Sequence, residues 1–118
     1  MKLYVDDLRK CPDGWTLARN NTEAIRLLAT GYVTEISIDH DICTPFSGEL
    51  SAGVRRRLEI GQETFECVAQ YIAIMPESMR PTKINFHTAN PSGAAKMMSI
   101  LKAKDIDSTY TPGSYIIE

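Results

Sequence analysis

The chain has 118 residues with 13 basic and 15 acidic side chains, and its formal net charge is −2. That length fits a single domain over residues 1–118, and 43% hydrophobic and 24% charged residues are typical of a soluble globular protein. Duplex DNA is normally held by a strongly basic face, so the near-neutral charge argues against duplex binding. A small anion held by a few local charges is compatible with this balance.

The cysteines and the apolar runs indicate the compartment. The three cysteines, at positions 11, 43 and 67, show no CxxC or zinc-binding spacing, and reduced thiols of this kind are typical of the cytosol. Segment 1–5 is too short for the apolar part of a signal peptide, and no apolar run approaches the ~20 residues that cross a bilayer. We expect a cytoplasmic protein (in the host cytoplasm, if the chain is viral) with no membrane partner. The oligomeric state does not follow from the sequence.

Short apolar runs predict the strands. Three of them are Leu3–Val5, Glu35–Asp39 and Lys83–His87, and residues 108–117 predict one or two more. The stretch 8–20, which contains proline and glycine, predicts a loop after the first strand.

Three amphipathic helices are predicted between and after these strands. The first follows a cap at Asn21 or Thr22 and closes at Gly31, since glycine is favoured just beyond a helix. The second spans residues 62–75, where apolar side chains recur at helical spacing. The third opens at Asn90-Pro91, which combines an asparagine cap with proline at the first helical position.

The alternation of strands and helices predicts an α/β fold with a mainly parallel sheet. Each strand–helix–strand unit implies a right-handed crossover between parallel strands. Segment 43–60 is longer than an ordinary connection in such a fold, and loops of that length often carry function or local structure of their own. We therefore predict an insertion or flap at 43–60.

Polar side chains follow each of the three main strands. Asp6-Asp7-Leu8-Arg9 follows the first, Asp39-His40-Asp41 ends the second, and His87-Thr88-Ala89-Asn90 ends the third. Ligands of open α/β sheets bind beyond the carboxyl ends of the strands. We therefore expect these three groups to surround one hollow.

Four carboxylates in that hollow are candidate metal ligands: Asp6, Asp7, Asp39 and Asp41. At ~4 Å and an effective dielectric constant near ~20, two carboxylates repel each other by about 4 kcal/mol, so their charge has to be offset. Mg²⁺ is one candidate, because it prefers oxygen ligands. Nearby arginines, raised pKa values or side chains that point apart are the others. A solvated strand end would explain Asp6 and Asp7 with no function at all.

Other residues near this edge are candidates for binding a phosphate. The helix that begins at Pro91 is expected to direct the free backbone amides of Ser92 and Gly93 into the hollow, because helix N-termini bind anions. Arg9 lies in the first loop, where a guanidinium can hold a phosphate through two parallel hydrogen bonds. Arg19 is a further candidate.

His87 is the candidate for proton transfer, because imidazole titrates near neutral pH. The competing interpretation is a histidine held in the core by a hydrogen bond. Asn90 is expected to cap its helix whatever else it does. His40 alternates away from Asp39 and Asp41 if the strand continues, so it ranks below His87.

Together these motifs resemble the cyclic-phosphate processing receiver domain, a diverged relative of response-regulator receivers. The resemblance runs from residue 1 to about residue 101 and rests on Asp6-Asp7-Leu8-Arg9, Gly14-Trp15, Ala18-Arg19, Asp39-His40-Asp41, Gly61, His87-Thr88-Ala89-Asn90-Pro91, Gly93 and Met97. It implies a shortened receiver-like or flavodoxin-like fold, built as a three-layer sandwich. It also implies action on 2′,3′-cyclic phosphates of nucleotides or RNA ends.

The same resemblance implies roles for single residues. These are an acidic, phosphate-gripping part (Asp6, Asp7, Arg9), a pair that completes the acidic site (Asp39, Asp41) and two residues that face the substrate (His87, Asn90). Receivers proper bind Mg²⁺ through acids after their first strand and accept phosphate on a later aspartate, here most nearly Asp39. The later lysine of receivers has no counterpart in this sequence, which argues against phosphorylation of Asp39.

We therefore expect a phosphoesterase that hydrolyses a phosphodiester, with a nucleotide phosphate or RNA-end phosphate as its partner. Its expected catalytic residues are Asp39, His87 and Asp7, and its expected substrate-binding residues are Arg9, Arg19, His40, Asn90, Ser92 and Gly93. One alternative is a non-catalytic receiver-like module that binds a nucleotide or a partner protein. Another is a metal-dependent nuclease, although the glutamate that such sites carry after the first strand is missing.

Overall fold

A five-stranded, fully parallel sheet forms the centre of the fold. The computed structural model describes residues 1–42 and 64–112. The strands are β1 (Lys2–Val5), β2 (Thr16–Ala18), β3 (Glu35–Ile38), β4 (Lys83–Phe86) and β5 (Thr109–Tyr110). Their order across the sheet is β2-β1-β3-β4-β5, which is the order of flavodoxin-like folds. The predicted α/β class and the receiver-like parallel sheet are confirmed.

Three helices pack against one face of this sheet. They are α1 (Asn21–Leu28), α2 (Glu66–Ile74) and α3 (Pro91–Lys102), and a single 3₁₀ turn (Glu77–Met79) follows α2. Alternate residues of the strands and the inner stripes of the helices form one apolar cluster, which includes Leu3, Val5, Ile36, Ile38, Ile84 and Phe86 from the strands and Ala24, Leu28, Val68, Ile72, Ala94, Met97 and Leu101 from the helices.

The described helices form one layer on one face of the sheet, and no helix within residues 1–42 and 64–112 forms a layer on the other face. The connections from β2 to β3, from β3 to β4 and from β4 to β5 all run in the same direction across the sheet. Right-handed crossovers therefore place all three helices on the same face. The connection from β1 to β2 runs in the opposite direction and belongs to the other face, but residues 6–15 contain no helix.

Strand β2 was predicted as part of a loop, and the structure corrects that prediction. It pairs in parallel with β1 over three residues, from Leu3 opposite Thr16 to Val5 opposite Ala18. The backbone N–H of Asp6 then donates to the carbonyl of Ala18 at 3.1 Å. Three residues are too few for a readable period-2 pattern, so only the pairing with β1 identifies this strand.

The face of the sheet opposite the helices is lined by polar and aromatic side chains. Tyr4, Ser37 and Asn85 occupy the alternate positions of β1, β3 and β4, and Thr109 of β5 is paired with Asn85. Tyr4 and Ser37 are fully buried. Buried polar groups require hydrogen-bond partners, so this face holds a polar network instead of a second apolar core.

Several predictions fall partly or wholly outside the described residues. These are the insertion or flap at 43–60, residues 62–63 of the second helix and the last strand at 114–117. Within the described part, α2 begins at Glu66, later than predicted, and β5 confirms a strand at Thr109–Tyr110. No helix in the described ranges has the length and apolar character needed to span a membrane.

The cap of α1 provides a test of the local structure. Asn20, and not the predicted Asn21 or Thr22, caps the helix, because its Oδ1 accepts from the backbone N–H of Glu23 at 2.9 Å. We expect Asn20→Ala to lower the free energy of unfolding by about 1 kcal/mol in urea denaturation. The control is Thr22→Ala in the exposed first turn, which should cost nothing because alanine is the better helix former. Equal effects of the two substitutions would contradict this assignment.

Candidate functional site

The register of the sheet brings the three predicted polar groups to one edge. Val5 of β1 is paired with Ile38 of β3, and Ile38 with Phe86 of β4. The next residue on each strand is therefore Asp6, Asp39 or His87, and all three lie at the same level. The sequence prediction that these groups surround one site agrees with this placement.

Asp6 is fully buried and accepts four hydrogen bonds. Its Oδ1 accepts from the backbone N–H groups of Leu8 (2.9 Å) and Arg9 (2.8 Å), and its Oδ2 accepts from Arg9 Nη1 (2.9 Å) and His87 Nε2 (2.8 Å). Burial alone would raise the pKa of Asp6, but these hydrogen bonds outweigh it and hold the pKa well below its usual range. Asp6 is a buried anion whose lone pairs are occupied.

His87 lies at the end of a hydrogen-bond chain that crosses the polar face of the sheet. Thr109 Oγ1 donates to Asn85 Oδ1 (2.7 Å), Asn85 Nδ2 donates to Ser37 Oγ (3.3 Å), and Ser37 Oγ is 2.7 Å from His87 Nδ1. Because Ser37 Oγ accepts from Asn85, it donates to His87 Nδ1. The ring proton of His87 therefore lies on Nε2, which donates a hydrogen bond to Asp6 Oδ2. The ring also stacks on Tyr4, with centroids 4.5 Å apart.

These contacts favour the core interpretation of His87 over the proton-transfer one. The side chain is 0% exposed, and both ring nitrogens are hydrogen-bonded. A substrate cannot reach the imidazole in this arrangement. His87 instead positions Asp6 and keeps it ionised.

Asp39 lies next to Asp6, but its pKa is shifted in the opposite direction. Its Oδ1 accepts from the backbone N–H of His40 at 2.8 Å, and its Oδ2 is 3.5 Å from Arg9 Nη1. Burial, and then the negative charge of Asp6, raise the pKa of Asp39, and these effects exceed the opposing hydrogen bond from His40. Asp39 therefore holds a proton more readily than an ordinary aspartate.

Two arginines line the same edge. Arg9 bridges Asp6 and Asp39 through Nη1 and keeps 28% of its side chain exposed. Arg19, which directly follows β2, donates from Nη1 to the carbonyls of Asp6 (3.3 Å) and Arg9 (3.1 Å). It thereby braces the loop that carries Arg9. Nη2 and Nε of both guanidinium groups have no hydrogen-bond partner among the described residues, so they can bind an anion.

His40 belongs to a second cluster, beside the first. Its Nδ1 contacts Asp41 Oδ1 and its Nε2 contacts Glu66 Oε2, both at 2.7 Å. Burial alone would lower the pKa of His40, but the hydrogen bonds to Glu66 and Asp41 raise it by more. Glu66 also pairs with Lys96 of α3 at 3.4 Å. The strand ends at Ile38, so the predicted alternation that turned His40 away from Asp41 does not apply.

The first turn of α3 differs from its prediction. The amide of Gly93 is not free, because it donates to Oδ1 of Asn90 at 3.0 Å. Asn90 caps the helix as predicted, and its Nδ2 also donates to Asp41 Oδ1 at 3.3 Å. Gly93 lies against the imidazole of His40, and a Cβ there would be 2.4 Å from His40 Cγ. Its role is close packing, whereas Ser92 lies exposed in the same turn.

Three of the predicted metal ligands, Asp6, Asp7 and Asp39, lie close together. Asp6, Asp7 and Asp39 each offer an oxygen within 4.8 Å of the others, and Asp7 and Asp39 are each 8% exposed. Asp41 is not part of this group, since it faces His40 and Asn90. Arg9 Nη1 already contacts both Asp6 and Asp39. A divalent cation held by Asp6 and Asp39 would therefore compete with Arg9 for the same carboxylate oxygens.

Three residues of the site were missed in the sequence reasoning: Ser37, Asn85 and Glu66. Ser37 and Asn85 carried a signal, because each is a polar residue at an alternate position of an apolar strand. Glu66 carried none, since it meets His40 across 26 residues of chain.

The depressed pKa of Asp6 predicts how stability depends on pH. Its carboxylate stabilises the fold above the unfolded pKa of ~4, and this contribution is lost as the pH falls through the lower folded pKa. We expect Asp6→Asn to lower the free energy of unfolding at pH 7 by on the order of 3 kcal/mol. In urea denaturation from pH 7 to pH 2, the difference from the parent should shrink below pH 4. A constant difference would contradict the prediction.

Asp39→Asn should act in the opposite direction. The folded pKa of Asp39 is raised, so its ionised form costs stability as the pH rises from the unfolded pKa of ~4 through the folded pKa. The neutral asparagine removes this cost. We expect the variant to be at least as stable as the parent at pH 8, with the advantage gone at pH 4. A clear loss of stability at pH 8 would show that the ionised carboxylate stabilises the fold.

Comparison with known proteins identifies the family. The family model described as the cyclic-phosphate processing receiver domain matches residues 1–103. Searches of curated proteins and of solved structures found no match. The matched region contains all three polar groups of the site, from Asp6 to Asn90. Because the match covers most of the chain, the resemblance read from the motifs is confirmed: the chain belongs to the family of cyclic-phosphate processing receiver domains.

Proposed function

We propose that this chain is a phosphoesterase that hydrolyses a phosphodiester, with the 2′,3′-cyclic phosphate of a nucleotide or RNA end as the substrate class. The observation that carries the proposal is the contact between Arg9 and Asp39 at the carboxyl edge of the sheet, 3.5 Å apart. It places a phosphate-binding cation beside a carboxyl group whose pKa is raised. The family match links receiver-like domains of this type to cyclic-phosphate processing.

The solvent exposure of each side chain separates the residues that support the site from those that can contact a substrate. Asp6 and His87 are 0% exposed and act as supports, whereas Asp7 and Asp39 reach the surface at 8% each. Arg9 and Arg19 then bind the non-bridging oxygens of the phosphate with their remaining N–H groups, which is the geometry that guanidinium and phosphate favour. In this proposal Asn90 and the neighbouring Ser92 complete the substrate-facing side.

The reaction requires two proton movements. Water attacks phosphorus and loses a proton to the carboxylate of Asp7, while the ester bond from phosphorus to a ribose oxygen breaks. The protonated carboxyl of Asp39 gives its proton to that leaving oxygen, and the product is a phosphomonoester with a free hydroxyl group. A raised pKa suits Asp39 to the acid role, and the arginines stabilise the charge that develops on the phosphate.

One observation favours a second candidate, a module that binds the phosphate without hydrolysing it. Both histidines of the chain have their two ring nitrogens engaged. Neither is open to a substrate in this structure, so proton transfer depends on carboxyl groups alone. In this second function Arg9 and Arg19 hold the nucleotide phosphate, and Asp39 accepts a hydrogen bond from a hydroxyl group of the ribose.

Turnover assays separate the two functions. The purified chain is incubated with 2′,3′-cyclic AMP and with a short RNA ending in a 2′,3′-cyclic phosphate, and monoester formation is followed by ³¹P NMR. We expect hydrolysis by the parent and a loss of at least ~100-fold in Asp39→Asn, as is usual on removal of a general acid. Asp107→Asn is the matched control, because its carboxylate is 96% exposed and far from the site in sequence.

Calorimetry with the same compounds completes the experiment. Saturable heat with no product would overturn the phosphoesterase and support the binding module. Neither heat nor product with either compound would overturn both functions. Equal turnover by the parent and Asp39→Asn would remove Asp39 from the mechanism.

A further inference from the structure

We propose that Ser37 and Asn85 are positioning residues of the phosphate site. They lie within β3 and β4, on the sheet face opposite the helices. Through the hydrogen-bonded His87 and Asp6, they fix the orientation of the Arg9 guanidinium and thereby the affinity of the site for phosphate. The inference rests on the proposed function for its ligand, the phosphate, but the orientation of Arg9 can be measured without any ligand.

One carboxylate oxygen joins the hydrogen-bond chain to Arg9. Asp6 Oδ2 accepts from His87 Nε2 at 2.8 Å and from Arg9 Nη1 at 2.9 Å. Asp6 is fully buried, and its other oxygen accepts from two backbone N–H groups, so a rotation of the carboxylate would break several hydrogen bonds at once. A change in how His87 donates to Oδ2 therefore acts directly on the acceptor that holds Arg9.

Asn85 and Ser37 determine which nitrogen of His87 acts as the donor. A neutral imidazole has one donor and one acceptor nitrogen. Ser37 Oγ accepts from Asn85 Nδ2 at 3.3 Å and donates to His87 Nδ1, which is 2.7 Å away. Without the hydroxyl of Ser37, the buried Nδ1 would lose this donor, and a buried acceptor that loses its partner costs more than the hydrogen bond itself contributes. The ring would then no longer be held in the form that donates from Nε2 to Asp6.

The pairing of the strands keeps these groups in place. Tyr4, Ser37 and Asn85 are register neighbours across β1, β3 and β4, so the contacts arise from the sheet and not from a loop. The imidazole of His87 is 0% exposed and stacks on Tyr4, with centroids 4.5 Å apart and the ring planes within 2° of parallel. Packing therefore fixes the position of the ring, and Ser37 fixes its donor.

The orientation of Arg9 matters because a guanidinium binds phosphate best through two parallel N–H groups. Nη1 contacts Asp6 and Asp39, and this contact sets the direction in which the remaining N–H groups of the planar group point. The side chain keeps 28% of its surface exposed. A guanidinium that rotates freely keeps its charge but loses this geometry, so the expected effect is weaker phosphate binding.

The first measurement uses the protein without ligand. In ¹H–¹⁵N NMR spectra of the arginine side chains at pH 7, a guanidinium held in one orientation gives separate Nη signals, whereas fast rotation merges them. We expect separate signals for Arg9 in the parent, assigned by their absence in Arg9→Lys, and merged signals in Ser37→Ala and His87→Asn. His87→Gln should keep them separate, because the glutamine Nε2 can replace the imidazole Nε2 as the donor to Asp6.

The second measurement is the affinity for inorganic phosphate, followed by isothermal titration calorimetry. We expect Ser37→Ala and Asn85→Ala to bind phosphate on the order of 5-fold more weakly than the parent, which corresponds to the loss of one neutral hydrogen bond. Thr30→Ala is the matched control in both measurements. It also removes a hydroxyl that donates a hydrogen bond, to the carbonyl of Leu27 at 2.6 Å, but this hydroxyl lies at the end of α1, outside the hydrogen-bond chain.

Parent-like Arg9 signals in Ser37→Ala, or merged signals in the parent, would overturn the proposal. So would an unchanged phosphate affinity in Ser37→Ala, because Ser37 would then only satisfy its buried neighbours. If the parent binds no phosphate, the proposed function fails, and the ligand-free spectra still decide whether Ser37 orients Arg9. If Ser37→Ala does not fold, Asn85→Ala, at a half-buried position, is judged by the same two measurements.

Discussion

The guanidinium of Arg9 joins two acidic side chains, Asp6 and Asp39, at the end of a parallel sheet. The carboxylates of Asp6, Asp7 and Asp39 come within 4.8 Å of one another, a distance at which two charges repel by about 3 kcal/mol at an effective dielectric constant near ~20. That repulsion is a large fraction of the ~5–15 kcal/mol by which a domain is stable. Arg9 offsets it by contacting two of the three acids. The same pair also holds the loop after β1, because the backbone N–H of Arg9 donates to Asp6 Oδ1 at 2.8 Å.

Residues 6–15, between β1 and β2, form no helix. This explains why the sheet face on that side carries a network of buried hydrogen bonds. No described helix covers the face that carries Tyr4, Ser37 and Asn85, so this face has no apolar partner layer of the kind found on the other side. Its side chains hydrogen-bond to one another along the sheet, from Thr109 to His87 and on to Asp6. The hydrogen bonds on this face therefore end in the one that His87 Nε2 donates to Asp6, at the carboxyl edge of the sheet.

Asp6 and Asp39 occupy equivalent positions after their strands, but their pKa values are shifted in opposite directions. Each follows a strand by one residue, yet four hydrogen bonds depress the pKa of Asp6, and burial beside Asp6 raises that of Asp39. The first group stabilises the fold, and the second reduces its stability at neutral pH. Such pairs of acids with separated pKa values are the usual means by which one site obtains both an anion and a proton donor.

Much of this architecture was legible in the sequence. The strands β1, β3 and β4 were predicted from their apolar runs, and the polar groups at their ends were predicted to meet because parallel strands present their carboxyl ends at one edge. The Asn90-Pro91 start of α3 and the family followed from local residue patterns. These features depend on side chains close together in sequence, where periodicity, capping and strand order carry the information.

Other features were decided only by the tertiary structure. The three-residue strand β2 exists through its pairing with β1, and the single helical layer follows from the direction of three crossovers. The role of His87 could not be read either, since Ser37 and Asp6 lie 50 and 81 residues away in the chain. Whether a polar residue serves a substrate or a neighbour depends on which distant groups the fold brings within about 3 Å of it. The order of residues along the chain does not give the distance between side chains that are far apart in sequence.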